Sequence, residues 1–266
     1  MLAISGFSQQ DSVLKNKKGK PVLPEKGDFA LGISANPIFN FVGNMFSSSG
    51  SNQLYLNFLN GQVYGKYFTS SQSALRLKLG IYNSTSHYEN NVEDDYNINH
   101  KVTDEMDYSY NSISFAAGIE KRKGSGRLQV SYGGELLLSL YSYSNKYSYG
   151  NAFSVTNTSP TTTYDFYNSY SYKTSTRPLE SKRNDGLTTG LRAFTGIEYF
   201  VFPKISVGGE IGLGYRHAFG GKKTTKTEYW DFVNSILKSD DLENNYRYSS
   251  LYTDILNGQI FILFHF

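Results

Sequence analysis

The chain of 266 residues has no cysteine, one tryptophan and only six prolines. Without cysteine there is no disulfide framework, no thiol nucleophile and no thiolate metal site. It also has no apolar run approaching the roughly 18 residues of a membrane-spanning helix, which excludes a helical membrane protein. The formal charge of +3 gives no reason to expect nucleic acid as a partner.

Tyrosine (23), phenylalanine (18) and glycine (25) are abundant, and so high an aromatic content argues against intrinsic disorder. Apolar residues recur with period 2, which is typical of β-strands whose two faces meet different surroundings. The clearest example is Lys204–Arg216, where Ile, Val, Leu and Tyr alternate with Ser, Gly, Glu and Arg. The pattern predicts eight strands: Asp28–Ala35, Gln62–Phe68, Ala74–Tyr82, Tyr110–Lys121, Leu128–Tyr143, Gly186–Tyr199, Lys204–Arg216 and Leu251–Phe266.

The connections between these strands alternate strictly between short and long. The short ones are Thr69–Ser73, Arg122–Gly126 and Val201–Pro203, and the long ones are Asn36–Gly61, Glu89–Asp107, Ser144–Asp185 and His217–Arg247. Tight turns at one end and four large loops at the other are typical of an up-and-down transmembrane barrel, with its long loops outside the cell. We therefore predict an all-β fold: an eight-stranded antiparallel transmembrane β-barrel with four long extracellular loops, formed by residues 28–266.

Two closed barrels fit eight antiparallel strands, a soluble lipocalin-like cup with an apolar interior and a membrane barrel with an apolar exterior. The polar face favours the membrane barrel, because it mixes small residues with balanced charges that can pair across a narrow interior. This predicted lumen charge network consists of four basic and four acidic residues: Arg76, Lys78, Arg192, Arg216, Glu120, Glu135, Glu198 and Glu210.

The two ends of the chain carry targeting patterns. Alternate positions of the last strand, Ile260, Ile262, Phe264 and the terminal Phe266, resemble the carboxy-terminal signature of bacterial outer-membrane barrels. That resemblance implies recognition by the barrel-assembly machinery during biogenesis. At the other end, residues 1–27 are expected to be a signal-peptide remnant followed by a flexible periplasmic lead-in.

The run Pro24–Asn44 resembles the opening of uncharacterised outer-membrane β-barrel proteins of Bacteroidota, and the Tyr/Ser/Asn-rich loops match that style. In architecture the chain is similar to the small eight-stranded barrels of the OmpA and OmpX type. The resemblance implies an outer-membrane location in a Gram-negative bacterium, with loops extracellular and both termini periplasmic. Asp11-Ser12-Val13 also fits the short O-glycosylation pattern of that phylum.

No motif points to catalysis. His87 and His100 flank an acidic segment (Glu89, Glu93, Asp94 and Asp95), but their spacing matches no fixed metal geometry. His217 lies at the end of the seventh strand, with Asp185 and Ser144 at comparable heights, as in barrel proteases and acyltransferases. A triad is defined by geometry, however, and one sequence does not supply it.

The sequence therefore predicts a non-enzymatic barrel with no metal and no cofactor. Its expected role is that of a structural or accessory subunit of a larger outer-membrane complex for secretion, uptake or barrel assembly. It would contact outer-membrane lipid and other outer-membrane proteins through its rim and loops. A stand-alone surface adhesin or ligand-binding barrel is one alternative, and a rim enzyme of protease or acyltransferase type is another.

Overall fold

The computed structural model describes residues 14, 15, 17, 19–34, 62–97, 99–253 and 259–266. Within these ranges the secondary structure is entirely extended. The strands are β1 (Phe29–Ser34), β2 (Gln62–Ser70), β3 (Ser73–Glu93), β4 (Lys101–Ser125), β5 (Leu128–Ser148), β6 (Thr161–Asp165), β7 (Tyr170–Lys173), β8 (Thr176–Phe202), β9 (Ile205–Asp231), β10 (Ile236–Thr253) and β11 (Gln259–His265). The described part contains no apolar helix of the length that spans a bilayer.

The strands pair antiparallel in a ring of about eight. The order runs from β1 through β2, β3, β4, β5 and β8 to β9. β11 pairs with β1 on one side and with the first part of β9 on the other. β10 pairs with the remaining length of β9. Thus β10 and β11 occupy successive stretches beside the same strand, where the sequence predicts one strand over Leu251–Phe266.

The segments predicted as long loops are mostly strand, and this is the main correction to the sequence-based fold. Glu89–Asp107 is a hairpin in which β3 and β4 stay paired up to Glu93 and Lys101. His217–Arg247 is likewise a hairpin of β9 and β10. Ser144–Asp185 contains the end of β5, the small β6–β7 hairpin and the start of β8. The period-2 pattern fades there because neither face is strongly apolar. Asn36–Gly61 lies outside the described residues.

The outer face of the ring is apolar over one end of the strands and polar over the other. Ile81 pairs with Ile113, Ile113 with Leu140, Leu140 with Leu187, and Leu187 with Phe219. This row is the last apolar one on the outer face, because the next outward positions include Asn83, Asn111 and Ser142. Between this row and the short turns, the exposed side chains include Leu75, Leu77, Leu79, Phe115, Ile119, Leu136, Leu138, Leu191, Ile197, Ile211 and Leu213. We call this part the apolar band, and the rest of the strands the strand extensions.

Aromatic residues surround the end of the ring that carries the short turns. Exposed rings there include Phe29, Tyr67, Tyr132, Tyr199, Phe202, Phe264 and Phe266. In β11 and the residue after it, Ile262, Phe264 and Phe266 are outside, whereas Phe261, Leu263 and His265 are buried within the ring. The terminal strands meet through two hydrogen bonds, from Phe29 N to Phe266 O (3.1 Å) and from Phe266 N to Phe29 O (2.7 Å). The assembly role of the outward residues stays a prediction.

Part of the segment predicted as a flexible lead-in is folded against this end of the ring. Val22 is 1% exposed and Pro24 is also fully buried. Val22 O accepts a hydrogen bond from Lys204 N (3.2 Å), and Gly27 N donates to Phe68 O (2.8 Å). The lead-in from Val22 onward is therefore held by the turn between β8 and β9 and by the end of β2. Residues 1–13, with Ser12, lie outside the described residues.

Candidate functional site: two buried polar clusters

The interior of the apolar band is filled by ion pairs, which we call the ring cluster. Its members project from seven strands, where alternation places them on the inner face. None has a side chain more than 5% exposed. The members are Lys66, Arg76, Lys78, Glu120, Arg122, Glu135, Arg192, Glu198, Glu210 and His265.

The half of the cluster near the short turns is built around Glu120 and Glu198. Lys66 Nζ bridges the two carboxylates at 3.0 and 3.1 Å. Arg122 also reaches both, at 3.7 Å from Glu120 and 3.3 Å from Glu198. His265 Nε2 lies 3.2 Å from Glu198 and 3.0 Å from Ser206 Oγ. Each carboxylate therefore has several partners, as buried charges require.

The other half is built around Glu135 and Glu210. Lys78 Nζ contacts Glu210 at 2.6 Å and Glu135 at 3.2 Å. Arg192 Nη1 contacts the same two carboxylates at 2.9 and 3.0 Å. Arg76 joins the halves, because its guanidinium contacts Glu120 (3.1 Å), Glu135 (2.7 Å) and Glu210 (2.7 Å). The ten residues thus form one continuous network.

Small inner-face residues leave room for these long side chains. A Cβ on Gly212 would lie 2.6 Å from Arg192 Nε and 2.8 Å from Ala193 O. A Cβ on Gly118 would lie 2.2 Å from Gly134 O and 2.8 Å from Glu135 Cγ. Glycine at these positions therefore permits the close approach of the ion-pairing groups and of the neighbouring backbone.

Seven of the eight predicted charges lie together in the ring cluster. The exception is Arg216, which is exposed further along β9, with its Nε donating to Ser250 Oγ (2.9 Å). Three members are missing from the predicted network: Lys66, Arg122 and His265. Each continues the inner-face alternation of its strand, but the sequence pattern places Arg122 in a turn and His265 within the terminal signature. Arg122 is two residues after the inward Glu120, and His265 is two residues after the inward Leu263. Continuing the alternation of each strand by one more inward position therefore identifies Arg122 and His265.

A second buried polar cluster lies within the strand extensions, where the β6–β7 hairpin packs on β3 and β4. We call it the hairpin cluster. It consists of Asp95, Asp104, Asn151, Thr161, Thr162, Thr163 and Arg177. Val92, Met106, Phe166 and Trp230 are buried apolar residues of the same strand extensions and hairpin. The strand extensions therefore have a core of their own.

Asp104 holds the backbone of two separate segments, the residues after β5 and the strand β6. It is 0% exposed, and its carboxylate accepts hydrogen bonds from Gly150 N (3.0 Å) and Thr163 N (2.7 Å). Asp95 accepts three more, from Thr161 N, Thr161 Oγ1 and Asn157 Nδ2, at 2.7, 2.7 and 2.9 Å. Burial opposes the ionised form of Asp95, but these hydrogen bonds outweigh it and hold its pKa below the usual value.

Arg177 fixes the opposite side of the hairpin. Its Nη1 donates to Asn151 O (2.8 Å) and Thr162 Oγ1 (3.3 Å), and its Nε donates to Glu228 (2.6 Å). The guanidinium carbon lies 4.3 Å and 4.7 Å from the rings of Tyr149 and Phe153. Such stacking suits the flat guanidinium group. The hairpin is thereby attached to β8 and, through Glu228, to β9.

The histidines do not assemble a catalytic or metal site in the described part of the chain. His217 Nδ1 lies 2.8 Å from Ser249 Oγ, while Asp185 accepts a hydrogen bond from Lys222 N (3.0 Å). Ser144 lines a separate depression with His87. His87 lies between two exposed carboxylates, 2.8 Å from Asp107 and 3.2 Å from Glu89. No group of three potential ligands among the described residues is arranged to hold a metal ion.

Two solved structures to which this chain is similar are outer-membrane proteins. One is a major outer membrane protein from Thermus thermophilus, with 11% identity, a TM-score of 0.37, and coverage of 91% of this chain and 100% of that one. The other is CarO of Acinetobacter baumannii, with 11% identity, a TM-score of 0.29, and coverage of 93% and 100%. Neither TM-score reaches 0.5, so these structures do not bear on the activity of this chain. No family model and no curated protein matches the chain.

Proposed function

We propose that the chain is a closed, eight-stranded outer-membrane β-barrel of a Gram-negative bacterium. The observation that carries this proposal is the inversion of its two faces, with leucine and isoleucine outside and ion pairs inside. Large exposed apolar surfaces are rare on soluble monomers, but a bilayer requires them. About 9 to 11 residues per tilted strand cross a membrane, whereas β8 and β9 each have 27. The strand extensions therefore project beyond the bilayer.

The absence of cysteine makes a direct test possible. Single cysteines at Thr85 and Ser109, on the strand extensions, should react with a membrane-impermeant maleimide in intact cells. Cysteines at Leu77 and Leu138, in the apolar band, should react only after solubilisation and unfolding. Equal labelling of all four positions would contradict the membrane placement. In the proposed orientation the strand extensions are extracellular and the termini are periplasmic. Labelling of Thr85 and Ser109 in spheroplasts but not in intact cells would show the opposite orientation.

We further propose that this barrel is a docking subunit of a larger outer-membrane complex. The ring cluster closes the interior of the apolar band, which supports a non-conducting barrel. The strand extensions have their own core and expose apolar side chains at their tips. Phe232 is 64% exposed and Val233 is 91% exposed at the turn between β9 and β10. Apolar side chains on an ordered projecting hairpin favour contact with another protein.

Copurification after mild detergent extraction tests this role. A stoichiometric partner should be recovered with the native chain and lost with Phe232→Ser/Val233→Ser. Val155→Ser is the matched control, because Val155 is 75% exposed on a different segment and should retain the partner. Recovery of the free barrel alone from native membranes would refute the docking role.

A stand-alone recognition barrel is the second candidate, and the β6–β7 hairpin favours it. Tyr164, Tyr167 and Tyr170 are 72, 67 and 61% exposed there. Tyrosine gives large contact areas at low entropic cost, as in antibody binding loops. In this case, replacing the three tyrosines by serine should abolish binding of cells that display the barrel to the surface they recognise. Copurification of any barrel partner should be unchanged. The reverse outcome favours the docking subunit.

A further inference from the structure

The interior of the barrel is not filled along its whole length. Beyond the ring cluster, toward the strand extensions, lies a cavity of about 390 Å³. Lys78, Glu135 and Arg192 of the ring cluster form its floor, and Arg216 and Tyr252 stand in its wall. Ser114, Ser139 and Thr188 add hydroxyl groups. Three of the charged residues around this space are basic and one is acidic.

Arg216 lines this cavity, and no carboxylate in the part of the chain that the structure describes forms an ion pair with it. Among the described residues its polar contact is with Ser250 Oγ. Two tyrosines of β10 flank it, with the guanidinium carbon 5.3 Å from the ring of Tyr252 and 6.0 Å from that of Tyr248. These contacts hold the stem and orient the group, while no carboxylate of the described residues neutralises its charge.

A second arginine repeats this arrangement further along the inner wall. Arg183 is 7% exposed, and its Nη1 contacts Tyr141 Oη at 3.2 Å. Its Nε has no hydrogen-bond partner, and no carboxylate of the described residues lies within ion-pair distance. The rings of Tyr143 and Tyr246 lie 5.7 and 6.0 Å from the guanidinium. A buried guanidinium with an unsatisfied donor is costly unless an anion or water compensates it.

We propose that this upper part of the lumen, the vestibule, binds a small anion that carries a carboxylate or phosphate group on a sugar-sized ring. The paired geometry of a guanidinium suits either oxyanion. Arg216 supplies the first contact, and Arg183 the second for an anion further from the floor. The tyrosine rings give flat apolar faces against which a sugar ring packs. A space of about 390 Å³ is in the range of small-ligand sites.

Calorimetric titration of the detergent-solubilised barrel tests this inference. The probes are inorganic phosphate, glucose 6-phosphate and glucuronate, with glucose as the neutral comparison. We expect both ring anions to bind more tightly than inorganic phosphate, and glucose not to bind. Preference for glucose 6-phosphate over glucuronate, or the reverse, distinguishes phosphate from carboxylate as the recognised group. Binding of inorganic phosphate alone would remove the sugar-sized ring from the proposal.

The variants locate the site. Arg216→Gln should weaken binding of the preferred ring anion by tenfold or more, the loss of about one charged hydrogen bond. Arg183→Gln should weaken it less, because Arg183 does not line the cavity that Arg216 lines. Arg216→Lys should retain part of the affinity. Arg247→Gln is the matched control, because Arg247 is exposed and pairs opposite the outward Phe219.

Equal losses in all three glutamine variants would show a general charge effect and overturn the site. Unchanged affinity in Arg216→Gln would do the same, provided that the variant shows the native resistance of its strands to unfolding in detergent. The measurement needs neither a bilayer nor a protein partner. If no anion binds, the docking proposal is unaffected. If no partner copurifies, the proposal of anion binding in the vestibule is unaffected.

Discussion

The ring cluster and the hairpin cluster both bury charged side chains, but the groups that pair with these charges differ. In the ring cluster, acidic and basic side chains from regular strands satisfy one another. Glu210, for example, contacts three basic groups. In the hairpin cluster, Asp104 accepts hydrogen bonds from two main-chain amides, Gly150 N and Thr163 N, and Arg177 donates one to Asn151 O. Regular strands have already used their backbone groups, so charges between them must pair with side chains. Irregular segments offer free backbone groups and need an anchor.

The largest expected effect comes from removing one carboxylate of the ring cluster. Glu210→Gln leaves Arg76, Lys78 and Arg192 with fewer negative partners in a space that excludes water. Breaking a buried ion pair on one side costs about 3–5 kcal/mol. We expect a corresponding fall in the free energy of unfolding, measured by urea titration in detergent micelles.

Glu243→Gln is the control for that experiment. Glu243 pairs with Lys222 at 2.5 Å, but both side chains are about half exposed. Exposed pairs contribute little, so the unfolding midpoint should hardly move. If Glu210→Gln is as stable as Glu243→Gln, the ring cluster contributes no more than a surface pair and the contrast between the clusters is lost.

The next effect is confined to the strand extensions. Asp104→Asn removes one of the two acceptor oxygens for Gly150 N and Thr163 N. Leaving a buried donor unsatisfied costs about 1–3 kcal/mol. We expect faster hydrogen exchange at these two amides, read by mass spectrometry, with no change in the strands of the apolar band.

Asp241→Asn serves as the comparison, because Asp241 is exposed on β10. It should leave the exchange of both amides unchanged. Accelerated exchange throughout the barrel in Asp104→Asn would mean that the two clusters unfold together rather than separately.

A third variant tests packing rather than charge. Gly212→Ala would place a methyl group against Arg192 and Ala193 O, and overpacking typically costs about 1–3 kcal/mol. Gly65→Ala is the matched change, since the nearest atoms there are 4.0 Å away. We expect the unfolding midpoint to fall only for Gly212→Ala. Similar midpoints for both would show that Arg192 can move without loss.

The smallest effect is expected on the exposed outer side of the strand extensions. The hydrogen bond to Asp107, and then that to Glu89, raises the pKa of His87 above its ordinary value. Because the folded pKa is raised, the added stability is present below the pKa of the unfolded chain and is lost as pH rises through the folded pKa. An NMR titration of the imidazole should show the raised pKa, and Asp107→Asn should lower it. An unchanged pKa in that variant would exclude Asp107 as the cause.

The sequence identifies the ring cluster better than the hairpin cluster. Strict alternation places seven of its charges on the inner face because each strand there separates two different environments. Arg216 obeys the same alternation, but its height along β9 depends on tilt and register, which period 2 does not contain. Asp104 gives no signal, because its partners are the backbone amides of Gly150 and Thr163. Arg177 gives none either, because it contacts Asn151, Thr162 and Glu228, which are distant from it in the sequence. The strand extensions resemble loops in the sequence since polar residues line both of their faces.

The β8–β9 ribbon takes part in both clusters. Arg192 and Glu210 lie in the ring cluster, and Arg177 and Glu228 lie at the far end of the same two strands. The two strands are paired from Phe202 and Ile205 up to Thr176 and Tyr229, with short interruptions. At about 3.3 Å per residue their contour is roughly 90 Å. The ribbon therefore connects the two clusters without a break in the chain, so that a displacement of its tip would act on the same two strands that carry Arg192 and Glu210.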